Sequence, residues 1–202
     1  ILVRVFEAMI ATRLCVHFVE GGRLKPYQFA SRAGLSAAQQ VARLAQEIHD
    51  AWADGDDLVF VGLDIAKAFD TVWHTGLLFK LGRGGVRGRL LRWIHAYLSG
   101  RTAQVTFLGL ASKRYDLAAG VPQGSCLSPI LFMVYINDIL EEAPERATAV
   151  LRAFEQFLFA DDTGLSARLP VADAARKLTR EAIQEVLTCL LYTSDAADDR
   201  IC

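Results

Sequence analysis

The sequence predicts an α/β fold in which a mixed or antiparallel β-sheet is covered by helices on one face. Segments with apolar residues at helical spacing alternate with short β-type apolar runs, and two pairs of such runs are separated by short connections typical of hairpins. Hydrophobic residues make up 52% of the 202 residues, which is enough to bury a core. The chain is therefore predicted to be globular, as one large domain or two small domains.

Charge and cysteine content argue against several classes of protein. The chain has 22 Lys and Arg against 23 Asp and Glu, so it lacks the basic excess that would by itself indicate a nucleic-acid partner. Its four cysteines lie far apart, which argues against a disulfide framework or a zinc site. The N-terminus has no signal-peptide pattern, and the longest apolar run, 127–136, is far too short to span a membrane. We expect an intracellular chain, nuclear or cytoplasmic, that is not secreted, has no membrane partner and begins in mid-sequence; its oligomeric state is not predicted.

In the first half of the chain, two helices are predicted to precede a strand. Apolar residues recur at helical spacing over Val3–Leu14. A second, amphipathic helix is marked at its start by Ser36 and at its end by the turn-like residues 53–56. The apolar run 58–63 is typical of a strand buried on both faces, and Asp64 stands at its C-terminal end.

The second half of the chain is predicted to contain helices and two hairpins. Helical spacing covers His74–Leu81 and Val86–Leu98, and the runs 103–108 and 113–118 form a hairpin around Gly109. Ser128 as N-cap and Pro129 at the first position predict a helix through about Leu140. The remaining predictions are a hairpin with 154–159 and 163–167 around Asp161-Asp162, and a helix with apolar positions at Val171, Ala175, Leu178, Ala182 and Val186.

Three acidic residues are candidates for chemistry. A carboxylate that follows a buried strand is costly unless a cation neutralises it, so Asp64 indicates a metal site or an ion pair. For an isolated Asp, a turn or helix cap is the more ordinary explanation. Asp161 and Asp162 are adjacent at a hairpin tip, and only one of them, which we take as Asp161, is expected to point towards an acid of a neighbouring strand. A simple polar turn is the alternative for this pair.

The segment Ala119–Ile139 contains a tight turn immediately before an apolar helix. Gly120 and Gly124 bracket Pro122-Gln123, so the backbone there can approach a ligand closely. A turn needed only for packing would also explain the glycines, but it would give less reason for Gln123 and Ser125.

Three segments, in this order, resemble known motifs. LDIAKAFDTVWH (63–74), GVPQGSCLSPILF (120–132) and FADDT (159–163) are similar to motifs A, B and C of the reverse transcriptase palm, in the form found in non-LTR (LINE-type) retrotransposons. The resemblance covers about residues 4–190. It implies partial fingers over 1–56 and a polymerase palm over 57–190. The last residues, 191–202, resemble a translated cloning or adapter sequence, so we set them aside as a non-native tail.

The resemblance also implies roles for six residues. Asp64, Asp161 and Asp162 match the carboxylates that hold two Mg²⁺ ions, for which Mn²⁺ can substitute. Phe69 matches the bulky residue beneath the incoming sugar, although without the motif it would be read as a core aromatic. Gln123 and Gly124 match the turn that contacts nucleotide and template. The implied reaction is RNA-directed DNA synthesis from a dNTP, an RNA template and a DNA primer. Asp70 is expected to be structural and to cap the helix near His74.

Two alternatives stay open at this point. The chain could be an inactive, truncated retroelement relic with a polymerase-like fold. An Asp-dependent phosphohydrolase would also place an Asp after a strand, but its chemistry needs a second acid two residues later, where this chain has Ala66. Finally, the residues Arg83, Arg87, Arg89, Arg92 and Trp93 could follow a phosphate backbone or could form an ordinary solvated helix face.

Overall fold

The structure is a computed structural model that describes residues 2–139, apart from 31 and 33, residues 154–169, and residues 180, 181, 184 and 188. The chain divides into two compact units. Unit 1 comprises Ile1–Lys25 and Ile65–Asn137, and unit 2 comprises Pro26–Asp64 and Asp138–Cys202. The α/β class with antiparallel sheets is confirmed. The division into fingers and palm stays a prediction.

The helices are α1 (Leu2–Cys15), continued by a π-helical turn (Val16–Glu20), α2 (Ala37–Ala53), α3 (His74–Arg83), α4 (Gly88–Leu98) and α5 (Ser128–Ile136). The strands are β1 (Asp57–Leu63), β2 (Arg101–Ala103), β3 (Thr106–Phe107), β4 (Leu110–Ala111), β5 (Tyr115–Leu117), β6 (Glu155–Phe159) and β7 (Asp162–Leu169). The predicted helix with apolar positions 171–186 and the predicted tail 191–202 lie outside the described ranges. No helix in the described part of the chain is long and apolar enough to cross a membrane.

In the described part of unit 2, three strands form an antiparallel sheet with the order β1-β7-β6. β1 pairs along its whole length with β7, from Asp57 opposite Leu169 to Leu63 opposite Thr163. β7 also pairs with β6 through a tight hairpin. β1 and β7 are therefore neighbours in the sheet although they lie nearly a hundred residues apart in sequence.

Helix α2 packs against this sheet. It begins with a capping box, because the Ser36 side chain accepts from the Gln39 backbone while the Gln39 side chain accepts from the Ser36 backbone. On the sheet side, Glu47 accepts a 2.6 Å hydrogen bond from the buried hydroxyl of Ser166, and Arg43 pairs with Glu155. These contacts fix the helix over β7 and β6.

The prediction that β1 is buried on both faces is wrong. Its residues are exposed or half-buried, and Phe60 is 45% exposed. Among the strands that the structure describes, β1 is at the edge of the sheet and has β7 as its partner. Gly62 on β1 and Gly164 on β7 lie beside Phe60 and have no side chain that could cover its ring. The apolar composition of β1 therefore did not imply that both of its faces are covered.

Unit 1 has α5 as its central helix. Nearly every residue of α5 is buried, which an all-round apolar sequence requires. The helices α1 and α3 pack against it, and α4 packs against α3. Two details of the prediction are wrong: Leu127, not Ser128, is the N-cap, and the helix ends at Ile136. Ser128 instead donates its hydroxyl to the carbonyl of Pro122 in the preceding turn.

The predicted hairpin around Gly109 is confirmed, in two separate two-stranded parts. β2 pairs with β5 at its base, and β3 pairs with β4 at its tip. Leu108 and Gly109 form the tip turn, and both have positive φ angles of 47° and 79°. This is the backbone that a tight two-residue hairpin turn requires.

Candidate functional site

The three acids lie at one end of the sheet of unit 2. Leu63 and Thr163 form the last residue pair of β1 and β7, so the next position on each strand is occupied by Asp64 and Asp162. Asp161 precedes Asp162 in the hairpin turn, because Phe159 pairs with Asp162 across that turn. The register therefore favours Asp162, rather than the expected Asp161, as the acid that faces Asp64.

The hairpin turn that carries Asp161 has an unusual backbone. Ala160, its first residue, has a φ of 57°, in the left-handed region that side chains other than glycine rarely adopt. Two-residue hairpin loops need a positive φ at this place because their twist must match that of the strands. The turn keeps Asp161 half-buried while Asp64 and Asp162 are exposed.

Three carboxylates occupy neighbouring backbone positions at this end of the sheet. Within the described ranges, none of the three carboxylates forms a hydrogen bond or an ion pair. Neighbouring carboxylates repel one another, so their approach is unfavourable for the chain by itself. Among the same residues, no group of three or more Asp, Glu, His or Cys side chains stands close enough to hold a metal ion by itself.

In unit 1, the segment after Asp64 is bonded to the turn before α5. The Val121 amide donates to the Phe69 carbonyl at 2.8 Å, and the Gly120 amide donates to the Val72 carbonyl at 2.9 Å. The Phe69 ring is half-buried and stacks on Phe132, with ring centres 4.6 Å apart. Phe69 is therefore packed on one side and partly open to solvent.

Asp70 has a different role from the expected helix cap. The N-cap of α3 is Trp73, and it has no side-chain cap hydrogen bond. Instead, Asp70 accepts a 3.0 Å hydrogen bond from the side-chain amide of Gln123. Gly120 makes this approach possible, because a Cβ there would lie 2.7 Å from the Asp70 carbonyl oxygen. Gln123 and Gly124 are both exposed, and Gly124 has a φ of 78°.

A second chain of hydrogen bonds holds the same turn from within unit 1. Tyr97 donates to Ser125 at 2.8 Å, and Ser125 donates to Glu7 at 2.8 Å. Burial raises the pKa of Tyr97, and the negative charge of Glu7 raises that pKa further, whereas the hydrogen bond to Ser125 lowers it. Glu7 is only 8% exposed, so it is an acid in the core with a defined partner.

The sequence interpretation missed Glu7 and Tyr97. A signal for Glu7 was available: the buried residues of α1 are Glu7, Ile10, Ala11 and Leu14, which follow helical spacing. An acid at a core position of an amphipathic helix indicates a buried polar partner. The partner itself, 118 residues away in sequence, could not be identified from spacing.

The candidate residues thus fall into two groups. Asp64, Asp161 and Asp162 come together in unit 2. Phe69, Gln123 and Gly124 belong to one bonded segment of unit 1.

Comparison with known proteins identifies the relatives of the chain. A profile described as reverse transcriptase (RNA-dependent DNA polymerase) matches residues 1–194. The chain is 34% identical over 166 residues to the probable RNA-directed DNA polymerase from transposon X-element of Drosophila melanogaster. It is 33% identical over 141 residues to the RNA-directed DNA polymerase from mobile element jockey of the same species. These alignments cover 82% and 70% of the chain but only 18% and 15% of the relatives.

Solved structures agree on the fold. Telomerase from Candida albicans, in complex with a fragment of telomeric RNA, matches 90% of the chain with a TM-score of 0.63 and 12% identity, over 32% of its own length. Apo telomerase from Candida tropicalis matches 93% of the chain with a TM-score of 0.56 and 12% identity, over 36% of its own length. At this identity the likeness concerns the fold alone.

Proposed function

The chain belongs to the reverse transcriptase family, and on that premise we propose that it carries the catalytic acids for RNA-directed DNA synthesis in a non-LTR retrotransposon polymerase. The substrates would be a dNTP, an RNA template and a DNA primer. Because the chain spans about a sixth of the length of its curated relatives, the activity of a whole polymerase is part of this proposal. An intracellular location, nuclear or cytoplasmic, stays a prediction.

The observation that best supports the proposal is the register of β1 against β7. Chemistry on a nucleoside triphosphate needs carboxylates from separate strands at one place, because the transferred phosphate group and the attacking oxygen both carry negative charge. The pairing of Leu63 with Thr163 supplies an acid on each strand at the next position. A turn or a helix cap, the ordinary explanation for one isolated Asp, gives no reason for acids on both strands.

The donor set suits Mg²⁺ or Mn²⁺. Both are hard cations that prefer oxygen ligands, and the three acids offer six carboxylate oxygens without a competing ion pair in the described residues. Mg²⁺ is usually bound by one or two carboxylates together with substrate phosphates, not by a complete protein cage. The lack of a closed cluster of three ligands among the described residues therefore suits ions that arrive with the triphosphate.

The proposed reaction is the transfer of a nucleotidyl group. The primer 3′-hydroxyl loses its proton and attacks the α-phosphorus of the dNTP; the bond to the β-phosphate breaks, and pyrophosphate leaves. Bound divalent ions would lower the pKa of the primer hydroxyl and neutralise charge on the triphosphate. Asp64, Asp161 and Asp162 would hold those ions. The stack on Phe132 would keep Phe69 in place as the residue that excludes a 2′-hydroxyl, and Gln123 and Gly124 would contact nucleotide and template.

A titration of the isolated chain with Mn²⁺, followed by electron paramagnetic resonance, tests the metal site. We expect weak binding that Asp161→Asn reduces and Asp116→Asn leaves unchanged, since Asp116 is an exposed acid on β5 of unit 1. Equal binding by all three proteins would contradict the proposal.

On a primed RNA template, the isolated 202-residue chain should extend the primer little, because catalysis needs the duplex to be held within a fraction of an ångström.

A further inference from the structure

Positive charge is strongly segregated along this chain. From Thr71 to Tyr115 it contains eight Lys or Arg residues and no Asp or Glu, so all 23 acidic residues lie elsewhere. The net charge of −1 conceals this separation. The acid-free segment lies entirely in unit 1 and includes α3 and α4.

Four arginines of this segment form what we call the basic surface: Arg83, Arg87, Arg89 and Arg92. All four are exposed, at the end of α3 and over the N-cap and first turns of α4. The buried residues of α4 are Ile94 and Leu98, which lie on the opposite side of the helix from Arg89 and Arg92 at 100° per residue. Because Ile94 and Leu98 are buried in the core, the basic surface faces solvent.

No ion pair neutralises the basic surface in the part of the chain that the structure describes. In the described ranges, none of the four arginines forms an ion pair, and the recorded contact of Arg83 is with the Phe79 ring, 5.9 Å from the ring centre. The first turn of α4 contains no acid, and its N-cap side chain makes no capping bond. Positive charges near a helix N-terminus are disfavoured by the helix dipole. The arrangement is therefore unfavourable for the free chain, which is typical of positions that serve function.

We infer that the basic surface binds the phosphate backbone of nucleic acid without reading its sequence. Arginine suits phosphate because its planar group donates two parallel hydrogen bonds. Base stacking is not expected here, because the Trp93 ring already has two aromatic partners. It stacks on Tyr97 with ring centres 5.3 Å apart and makes an edge-to-face contact with Phe6 with ring centres 5.1 Å apart. This inference rests on the proposed function only in that a polymerase must meet nucleic acid; none of the four arginines belongs to the proposed catalytic site.

The test compares two double variants of the 202-residue chain. Arg89→Gln/Arg92→Gln removes two charges from the basic surface, and Arg4→Gln/Arg13→Gln removes two exposed charges from α1 of the same unit. Both variants change the net charge equally. The probes are fluorescein-labelled oligo(U) and oligo(dT), and the readout is fluorescence anisotropy over a range of salt concentrations.

We expect the first variant to bind both probes about tenfold more weakly at low salt. Its plot of log affinity against log salt should flatten by about 1.4, because each lost contact with a single strand removes about 0.7 from the slope. The control variant should stay within about twofold of the unaltered chain. Circular dichroism spectra of both variants should match that of the unaltered chain.

Three results would overturn the inference. The unaltered chain could bind neither probe, the two variants could lose affinity equally, or the arginine variant could lose binding to phosphatidylserine vesicles but not to the oligonucleotides. The proposed function is judged separately, by loss of Mn²⁺ binding in Asp161→Asn. Arg89→Gln/Arg92→Gln should leave Mn²⁺ binding unchanged, so one proposal can fail without the other.

Discussion

Leu63 and Thr163, one hundred positions apart in sequence, face each other as the last residue pair of β1 and β7. The next positions of the two strands are Asp64 and Asp162, with Asp161 in the adjoining turn. Neither strand end would be unusual alone. Their pairing gathers three carboxylates that have no ion-pair partner among the described residues at one end of a sheet, and the proposed chemistry depends on it.

Removal of one of these acids should stabilise the metal-free chain. Like charges on facing strand positions are destabilising, so Asp162→Asn should raise the free energy of unfolding by about 0.2–1 kcal/mol in the presence of EDTA. Saturating Mn²⁺ should reduce or reverse this gain, because a bound cation stabilises the unaltered acids. Urea unfolding in both conditions measures the effect, with Asp116→Asn as the control. A variant that is less stable than the unaltered chain in EDTA would count against the charge cluster.

Gly120 is predicted to be indispensable for the turn before α5. Its φ of 87° strains any other side chain, and a Cβ would approach the Asp70 backbone to 2.7 Å. Gly120→Ala should therefore cost about 1–3 kcal/mol of stability. Gly100→Ala is the matched control, with a φ of 64° and no atom within 4 Å of an added Cβ. Thermal or urea unfolding should show the smaller loss for Gly100→Ala, and equal losses would mean that contact with Asp70 contributes nothing.

Asp70 is predicted to fix the orientation of the Gln123 side chain. Their hydrogen bond, 3.0 Å long, joins two exposed residues, so its effect should be on side-chain order more than on stability. Asp70→Ala should make the Gln123 side-chain amide more mobile in nitrogen-15 relaxation measurements. Asp70→Asn should preserve its order, since an amide oxygen also accepts. A Gln123 amide that is equally ordered in both variants would show that another contact holds it.

The pKa of Tyr97 predicts an alkaline limit of stability. Because this pKa is raised in the folded chain by burial and by Glu7, the folded state retains its proton above the ordinary pKa of 10.0, at which an unfolded tyrosine loses it. The stabilisation is complete below the unfolded pKa and is lost as pH rises through the folded pKa. The drop in stability above pH 10.0 should be smaller in Tyr97→Phe than in the unaltered chain, as measured by urea unfolding. Identical pH profiles would refute this role.

The sequence predicted the fold class and most elements because helical and strand periodicities are local. It also located the acids, since each follows or precedes an apolar run. It could not predict the burial of β1, because exposure of Phe60 depends on the edge position of the strand and on the glycines beside it. Capping and turn details at Asp70 and Ser128 were wrong because each side chain found a partner in the turn at 120–124 that local pattern does not reveal.

The central claim, that Asp64 and the Asp161-Asp162 pair share metal ions, can be tested by iron-mediated cleavage. In the presence of hydrogen peroxide and ascorbate, bound Fe²⁺ reduces the peroxide to a hydroxyl radical and hydroxide, and ascorbate returns the resulting Fe³⁺ to Fe²⁺. The radicals cut the backbone near the carboxylate site, and the fragments can be identified by mass spectrometry. We predict cuts close to residue 64 and close to residue 161, suppressed by excess Mg²⁺. Asp64→Asn should remove both sets of cuts, because one shared site produces them, whereas Asp116→Asn should remove neither. Cleavage at only one of the two segments, or loss of only the local cuts in Asp64→Asn, would contradict a shared metal site.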